Sequence, residues 1–184
     1  MSGPVKIQAP LDEKIVAGLR AGDSLLLSGV IYTARDAAHQ RLCKLLAAGD
    51  PAPFDLRGAV IYYCGPTPAP PGRPIGSAGP TTSYRMDSFA PLLHAHGVKA
   101  SIGKGPRGPA VRESLKEHRA LYFGATGGAG ALLAACVKKA RVLAFPDLGP
   151  EAIYELEVAD FPLLVINDAQ GGDLFELSGT SPLP

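Results

Sequence analysis

Four stretches of the 184-residue chain combine residue types that can hold an anion and act on it. Arg35-Asp36-Ala37-Ala38-His39 falls where an apolar run, SLLLSGVIYTA, gives way to a helical pattern. A helix start presents unpaired N–H groups and the positive end of the dipole, and Arg35 adds a planar fork that matches a carboxylate or phosphate. His39 follows one turn later. A purely structural arrangement uses the same residues: Asp36 capping the helix, Arg35 paired with a surface acid, His39 exposed. The second stretch is Gly79-Pro80-Thr81-Thr82-Ser83-Tyr84-Arg85-Met86-Asp87. If a helix begins near Thr82, Thr81 or Thr82 is its N-cap, and Thr81 and Arg85 stand on one side with a hydroxyl and a guanidinium toward one ligand. A threonine cap with a solvated arginine is the plainer alternative.

The third stretch, Gly103-Lys104-Gly105, projects one ammonium from a backbone that can be approached closely, or is a surface turn. It is not a phosphate-binding Walker loop, because Val98 and Gly105 stand where a glycine and a Ser or Thr are required. The fourth, Gly124 to Gly130 with Asp147 about twenty residues beyond Gly127, has the outline of a dinucleotide fingerprint. Leu133 stands where its last glycine belongs, so the turn at Gly127 to Gly130 serves either nucleotide binding or tight strand-to-helix packing.

The elements that must position these residues can be read from periodicity. LDEKIVAGLR predicts a short helix ended by Gly22, and SLLLSGVIYTA a strand buried on both faces. In RDAAHQRLCKLLAAGD, Ala38, Leu42, Leu45 and Leu46 recur at helical spacing, and Gly49 closes the helix. RGAVIYYCG is the next strand. Residues 65–80, GPTPAPPGRPIGSAGP, hold six prolines and form a shaped, rigid loop without regular structure that leads into Thr81. MDSFAPLLHAHG predicts a helix, VKASIG a short strand and PAVRESLKEH a helix. ALYFGATGGAGALLAACVKKARVLAFPD then reads strand, glycine turn, helix, strand, a βαβ-like unit. Short strands are expected around IYELEV, PLLVIN and DLFEL. The expected fold class is α/β: one layered domain over residues 1–184 with a mixed sheet.

Composition narrows the function. Lys+Arg 18 against Asp+Glu 17 lacks the basic excess of a nucleic-acid module, and 46% hydrophobic residues are too many for disorder. MSGPVKIQAP has no basic segment followed by an apolar signal core, and no apolar run reaches the ~18 residues of a membrane span, so a cytoplasmic chain is expected. Cys43, Cys64 and Cys136 are widely spaced and lie in apolar patterns, at least two of them inside regular elements. They read as packed structural thiols rather than metal ligands.

In their order and spacing, SGVIYTARDAAHQRL, YYCGPTPAPPG, IGSAGPTTSYRMD, IGKG, GGAGALL and DLGPEAIYELEVADFPLLVINDAQG resemble one family across nearly the whole chain. It is the β subunit, or C-terminal domain, of iron-sulfur hydro-lyases: class I fumarases and L(+)-tartrate dehydratases. The resemblance implies a swivelling β/β/α type domain that closes over an α partner. It implies a [4Fe-4S] cluster ligated by that α subunit, none of it by this chain, and an (αβ)2 assembly. It further implies that Arg35, Arg85 and Lys104 clamp a C4 dicarboxylate, fumarate/malate or tartrate, and that Thr81 is the catalytic base. A threonine hydroxyl needs an activating carboxylate, from the α subunit or, failing that, Asp36. His39 and Thr82 then orient the reacting groups, and Glu151 is structural. A non-catalytic module holding a small dicarboxylate or phosphate uses the same cationic junctions and remains the alternative.

Overall fold

The computed structural model describes residues 3–125 and 129–179. Along the chain run β1 (Val5–Ala9), α1 (Glu13–Gly18), β2 (Ser24–Thr33), α2 (Asp36–Ala47) and β3 (Val60–Tyr62). A 3-10 turn (Ser83–Met86), α3 (Ala90–Ala95), β4 (Ala100–Gly103), α4 (Pro109–Glu117) and β5 (Leu121–Gly124) follow. The last elements are α5 (Gly130–Ala135), β6 (Val137–Ala144), a 3-10 segment (Pro146–Glu151), β7 (Ile153–Asn167) and α6 (Leu174–Leu177). The fold is mixed α/β with one seven-stranded sheet among the described residues, in the order β1-β2-β3-β4-β5-β7-β6. β1 to β5 pair in parallel, whereas β7 runs antiparallel to β5, β6 and β2. Because β2 meets β7 as well as β3, the sheet curls into a partial barrel.

Strand alternation sorts side chains between the barrel and the helices outside it. Tyr62, Ala100, Ile102, Leu121 and Phe123 join Leu25, Leu27, Ile31, Phe161 and Val165 in the main core. Ile61 and Tyr63 face outward into a second core with Leu42, Met86 and Leu93, under α2 and α3. Tyr122 faces a third core with Val111 and Leu115 of α4.

The helices over Glu13–Gly18, Asp36–Ala47 and Pro109–Glu117 lie where periodicity puts them. The late strands differ. IYELEV and PLLVIN are one strand, β7, which continues through a left-handed Asp160 and through Pro162. Residues 159–163 fall between the stretches that pair with β6 and with β5, so a proline there leaves no ladder bond unmade on that edge. DLFEL is a helical turn, because the Asp173 carboxylate accepts the Phe175 N–H at 2.9 Å and caps it. The unit from β5 to β6 is not a parallel crossover: β6 pairs with β7 and not with β5. β2 is not buried on both faces either; it alternates, with Leu25, Leu27, Ile31 and Thr33 inward.

Candidate functional site

Three neighbouring parallel strands, β2, β3 and β4, end on the same edge, and chain reversals there deliver the candidate residues. In open parallel sheets this carboxyl edge is where ligands bind. Arg35 and Asp36 follow β2, the proline-rich loop leaves β3 and returns at Thr81, and Lys104 follows β4.

The loop over residues 65–80 is held in a fixed shape. Gly76 N–H donates to the Thr67 carbonyl at 3.0 Å and Thr67 N–H to the Ser77 carbonyl at 2.9 Å, which closes the loop on itself. Ile75 and Ala78 are buried in the main core, and the Tyr62 hydroxyl donates to the Ala78 carbonyl. Ala78 N–H reaches the Gly130 carbonyl at 3.1 Å. A Cβ on Gly130 would lie 2.3 Å from Ser77 Oγ and 3.0 Å from the Gly79 nitrogen, so this glycine permits close packing of α5 on the loop. Gly127 and Gly128 lie outside the described residues. Asp147, the acid of the dinucleotide outline, is taken up by a two-point ion pair with Arg41 at 2.8 and 2.5 Å.

The chain re-enters at Thr81, whose N–H donates to the Tyr63 carbonyl at 2.7 Å. Thr82 then forms a parallel bridge with Lys104, and Ser83 N–H donates to the Lys104 carbonyl at 2.9 Å. The returning segment thus lies beside β4 where β3 would have continued. No α-helix starts here. Thr82, in extended backbone, caps a single 3-10 turn without a side-chain bond, so the expected threonine cap is absent and Thr81 stands before the turn rather than on a shared helix face with Arg85.

Arg85, in that turn, donates from Nε to Asp36 Oδ1 at 3.0 Å, and Arg35 lies 3.8 Å from Asp36 Oδ2. Asp36 therefore stands between two guanidiniums instead of capping α2. The acceptor at the helix start is Glu151, which takes the Ala37 N–H at 3.1 Å and lies 3.7 Å from Arg35. His39 is not exposed. It is fully buried against Tyr63 and Phe89, with Nδ1 2.9 Å from the Arg35 carbonyl. A carbonyl only accepts, so Nδ1 carries the proton and Nε2 keeps its lone pair. Burial, with Arg107 nearby, depresses its pKa to about 4 against the pull of the Arg35 carbonyl and Asp36. The imidazole is neutral and holds the backbone of Arg35.

The structure joins Arg35, Asp36 and Arg85 in one chain of ion pairs and sets Thr82 beside Lys104, with Thr81 next to Thr82. Arg35 Nε, Asp36 Oδ2 and His39 Nε2 are buried without a hydrogen-bond partner. Arg107 Nη2 and Asn167 Oδ1 are buried in the same way, and native structures leave few such atoms. Lys104 is exposed and lines a cavity of about 230 Å³ with Gly105, Tyr122, Ile166 and Phe175. A larger cavity, about 410 Å³, lies beside α4 and α6, where Arg112 is already shared by Asp173 and Glu176.

Sequence reasoning missed Arg107, which is read there only as part of the glycine-rich break GKGPRG. It is buried across the outer faces of β3, β4 and β5, between the rings of Tyr63 and Tyr122 at 5.3 and 4.9 Å from their centroids. Its Nε donates to Asp87 Oδ1 at 2.7 Å, and Nη1 to Ser101 Oγ at 3.0 Å and the Tyr63 hydroxyl at 3.3 Å. The other Asp87 oxygen accepts Gly108 N–H at 2.7 Å. Tyr122 bonds Ser83 Oγ and the Gly105 carbonyl, both at 2.8 Å; having one proton, it donates to the carbonyl and accepts from Ser83. The Asp87 of the RMD triplet was the available signal for this network.

Among the described residues no group of three or more His, Cys, Asp or Glu could hold a metal ion. Cys43 lies in α2, Cys64 after β3 and Cys136 at the end of α5, and burial raises all three thiols, Cys64 to about 12. A cluster ligand must be a thiolate, which burial of this kind opposes.

The Fumarase C-terminus family model matches residues 2–178. Fumarate hydratase 2 of Leishmania major is 37% identical over 175 residues, 93% of this chain and 31% of that protein. The anaerobic class I fumarate hydratase of Escherichia coli is 42% identical over 154 residues, 83% of this chain and 28% of its own length. The chain thus spans about a third of these relatives. A Methanocaldococcus jannaschii protein named "Putative L(+)-tartrate dehydratase subunit beta" is 38% identical over 172 residues, 90% of this chain and 88% of its own. The match runs through every strand and loop that builds the carboxyl edge described above, and on that extent the chain belongs to the Fumarase C-terminus family.

Proposed function

We propose that the chain is the β subunit of a two-chain hydro-lyase that reversibly hydrates a C4 dicarboxylate, fumarate to malate or the tartrate counterpart. The observation that carries the reading is the strand edge at which Arg35 and Arg85 meet on Asp36 while Thr82, next to Thr81, bridges Lys104. Two guanidiniums and an ammonium on one edge match the two carboxylates of a C4 dicarboxylate. The likeness to a protein named as a subunit beta supports the two-chain form. In the proposed enzyme the α subunit ligates the [4Fe-4S] cluster, the pairs assemble as (αβ)2, and the complex is cytoplasmic.

The roles of this chain follow from its chemistry. Removing a proton from the carbon beside a carboxylate drives negative charge into that carboxylate. Arg35, Arg85 and Lys104 bind the substrate's carboxylates and stabilise that growing charge. Thr81 Oγ1 takes the proton. Asp36 is already shared by two guanidiniums, so the carboxylate that activates Thr81 comes from the α subunit. Thr82 and His39 hold Thr81 and Arg35 in place through the Lys104 bridge and the Arg35 carbonyl.

The test is Thr81→Ala in the chain reconstituted anaerobically with its α partner. The expected result is a kcat loss of about 10²–10⁴ with KM for malate changed by less than about tenfold. Full turnover by the variant, or turnover or stoichiometric iron binding by this chain alone, refutes the proposal. Malate binding without turnover in any pairing is the signature of a non-catalytic module.

A further inference from the structure

We propose that buried Arg107 and half-buried Asp87 form a positioning pair that fixes the Lys104 ammonium relative to Thr81 and Arg85. The inference rests on the function proposed above and adds to it two residues outside the substrate-facing set. Lys104 sits at the head of a short run, Lys104 to Gly108, with no regular structure beyond its bridge to Thr82. Left to itself, such a run would let an exposed lysine sample many positions, and an ammonium that must meet a carboxylate loses much of its effect if displaced by about 1 Å.

Each end of this run is tied to the turn that carries Arg85. Ser83 N–H holds the Lys104 carbonyl, and the Tyr122 hydroxyl, itself bonded to Ser83 Oγ, holds the Gly105 carbonyl. Asp87 grips the far end twice, with Oδ1 on Arg107 Nε and Oδ2 on Gly108 N–H. Arg107 is then locked across three strands by Ser101, Tyr63 and Tyr122. A guanidinium is required: one planar group reaches Asp87, Ser101 and Tyr63 in three directions, whereas an ammonium on a lysine stem is a single point with different reach. Burial works against the charge on Arg107, and Tyr63, Asp87 and Tyr122 more than offset it, so the guanidinium keeps its charge. Gly103 belongs to the same device, since only a residue without a Cβ leaves room for Ser83 Oγ against β4.

The test uses Arg107→Lys and Asp87→Asn, with Tyr122→Phe as a milder variant that removes the ties to Gly105 and Ser83 and leaves the pair itself intact. Two readouts are taken: kcat and KM for malate in the complex with the α partner, and the NMR signal of Lys104 in this chain after reductive ¹³C-methylation, assigned with Lys104→Arg. The expected result is a kcat loss of about tenfold or more in Arg107→Lys and Asp87→Asn, a smaller loss in Tyr122→Phe, and a displaced or broadened Lys104 signal in all three. A merely structural role lowers the melting temperature and leaves both kcat of the folded complex and the Lys104 signal unchanged, and that outcome overturns the inference. If Arg107→Lys does not fold, Tyr122→Phe decides by the same two measures. Should the wild-type complex show no turnover, the proposed function fails, and the Lys104 signal still decides the positioning pair.

Discussion

Lowering the pH should destabilise this protein through His39 well before its carboxylates protonate. The ring is fully buried, packed on Tyr63 and Phe89, with Arg35, Asp36 and Arg107 as the charged groups around it, and its pKa falls from the ordinary 6.5 to about 4. Below about pH 6.5 the unfolded chain takes up a proton that the folded chain refuses until about pH 4, so stability is complete above that window and is lost as pH falls through it. At about 1.4 kcal/mol per pH unit the whole displacement is worth about 3 kcal/mol, and between about pH 7.5 and about pH 5 a single such site loses about 2 kcal/mol. His94 is also buried, pushed down to about 3 first by burial and then by Arg107, and adds a similar loss. The assay is urea unfolding at a series of pH values, compared with His39→Asn, whose amide keeps a donor for the Arg35 carbonyl. The variant should be less stable at neutral pH, having lost its ring contacts, but its stability should fall by about 2 kcal/mol less between the same two pH values. A wild-type stability that stays flat to about pH 5, or a His39 ring that titrates near 6.5 by NMR, refutes the reasoning.

Glu151→Ala should cost about 1 kcal/mol in urea unfolding, because it strips the acceptor from the Ala37 N–H at the start of α2. Gly103→Ala should destabilise by about 1–3 kcal/mol, since its Cβ would fall on Ser83 Oγ; thermal melts of the variant check this. Cys64 should resist iodoacetamide in the native protein at mildly alkaline pH and react on unfolding, while half-exposed Cys136 is modified first; peptide mass mapping reads both.

The local elements of the site are legible in the sequence because their signals are local. Apolar spacing from Ala38 to Leu46 makes α2 a helix whatever surrounds it, six prolines forbid regular structure over residues 65–80, and GPTTSYRMD with RDAAH carries the family likeness. The stretches around Arg35 and Lys104 are legible as strand ends too, since buried strands end where polar and glycine residues begin.

What the sequence could not determine are pairings between residues far apart along it. Nothing near Ala37 announces that Glu151, 114 positions away, will accept its N–H, so Asp36 reads as the cap and instead joins Arg35 and Arg85. His39 reads as exposed from its neighbours and is buried by Tyr63 and Phe89. Arg107 reads as a loop cation and becomes the centre of a buried network only because β3, β4 and β5 line up Tyr63, Ser101 and Tyr122 beneath it. The pairing of β2 with β7 curls the sheet and fuses two expected strands into one. Chain composition and period set which segments are helix, strand or rigid loop; which side chains lose their water, and which charges then meet, is decided only when distant strands close the barrel.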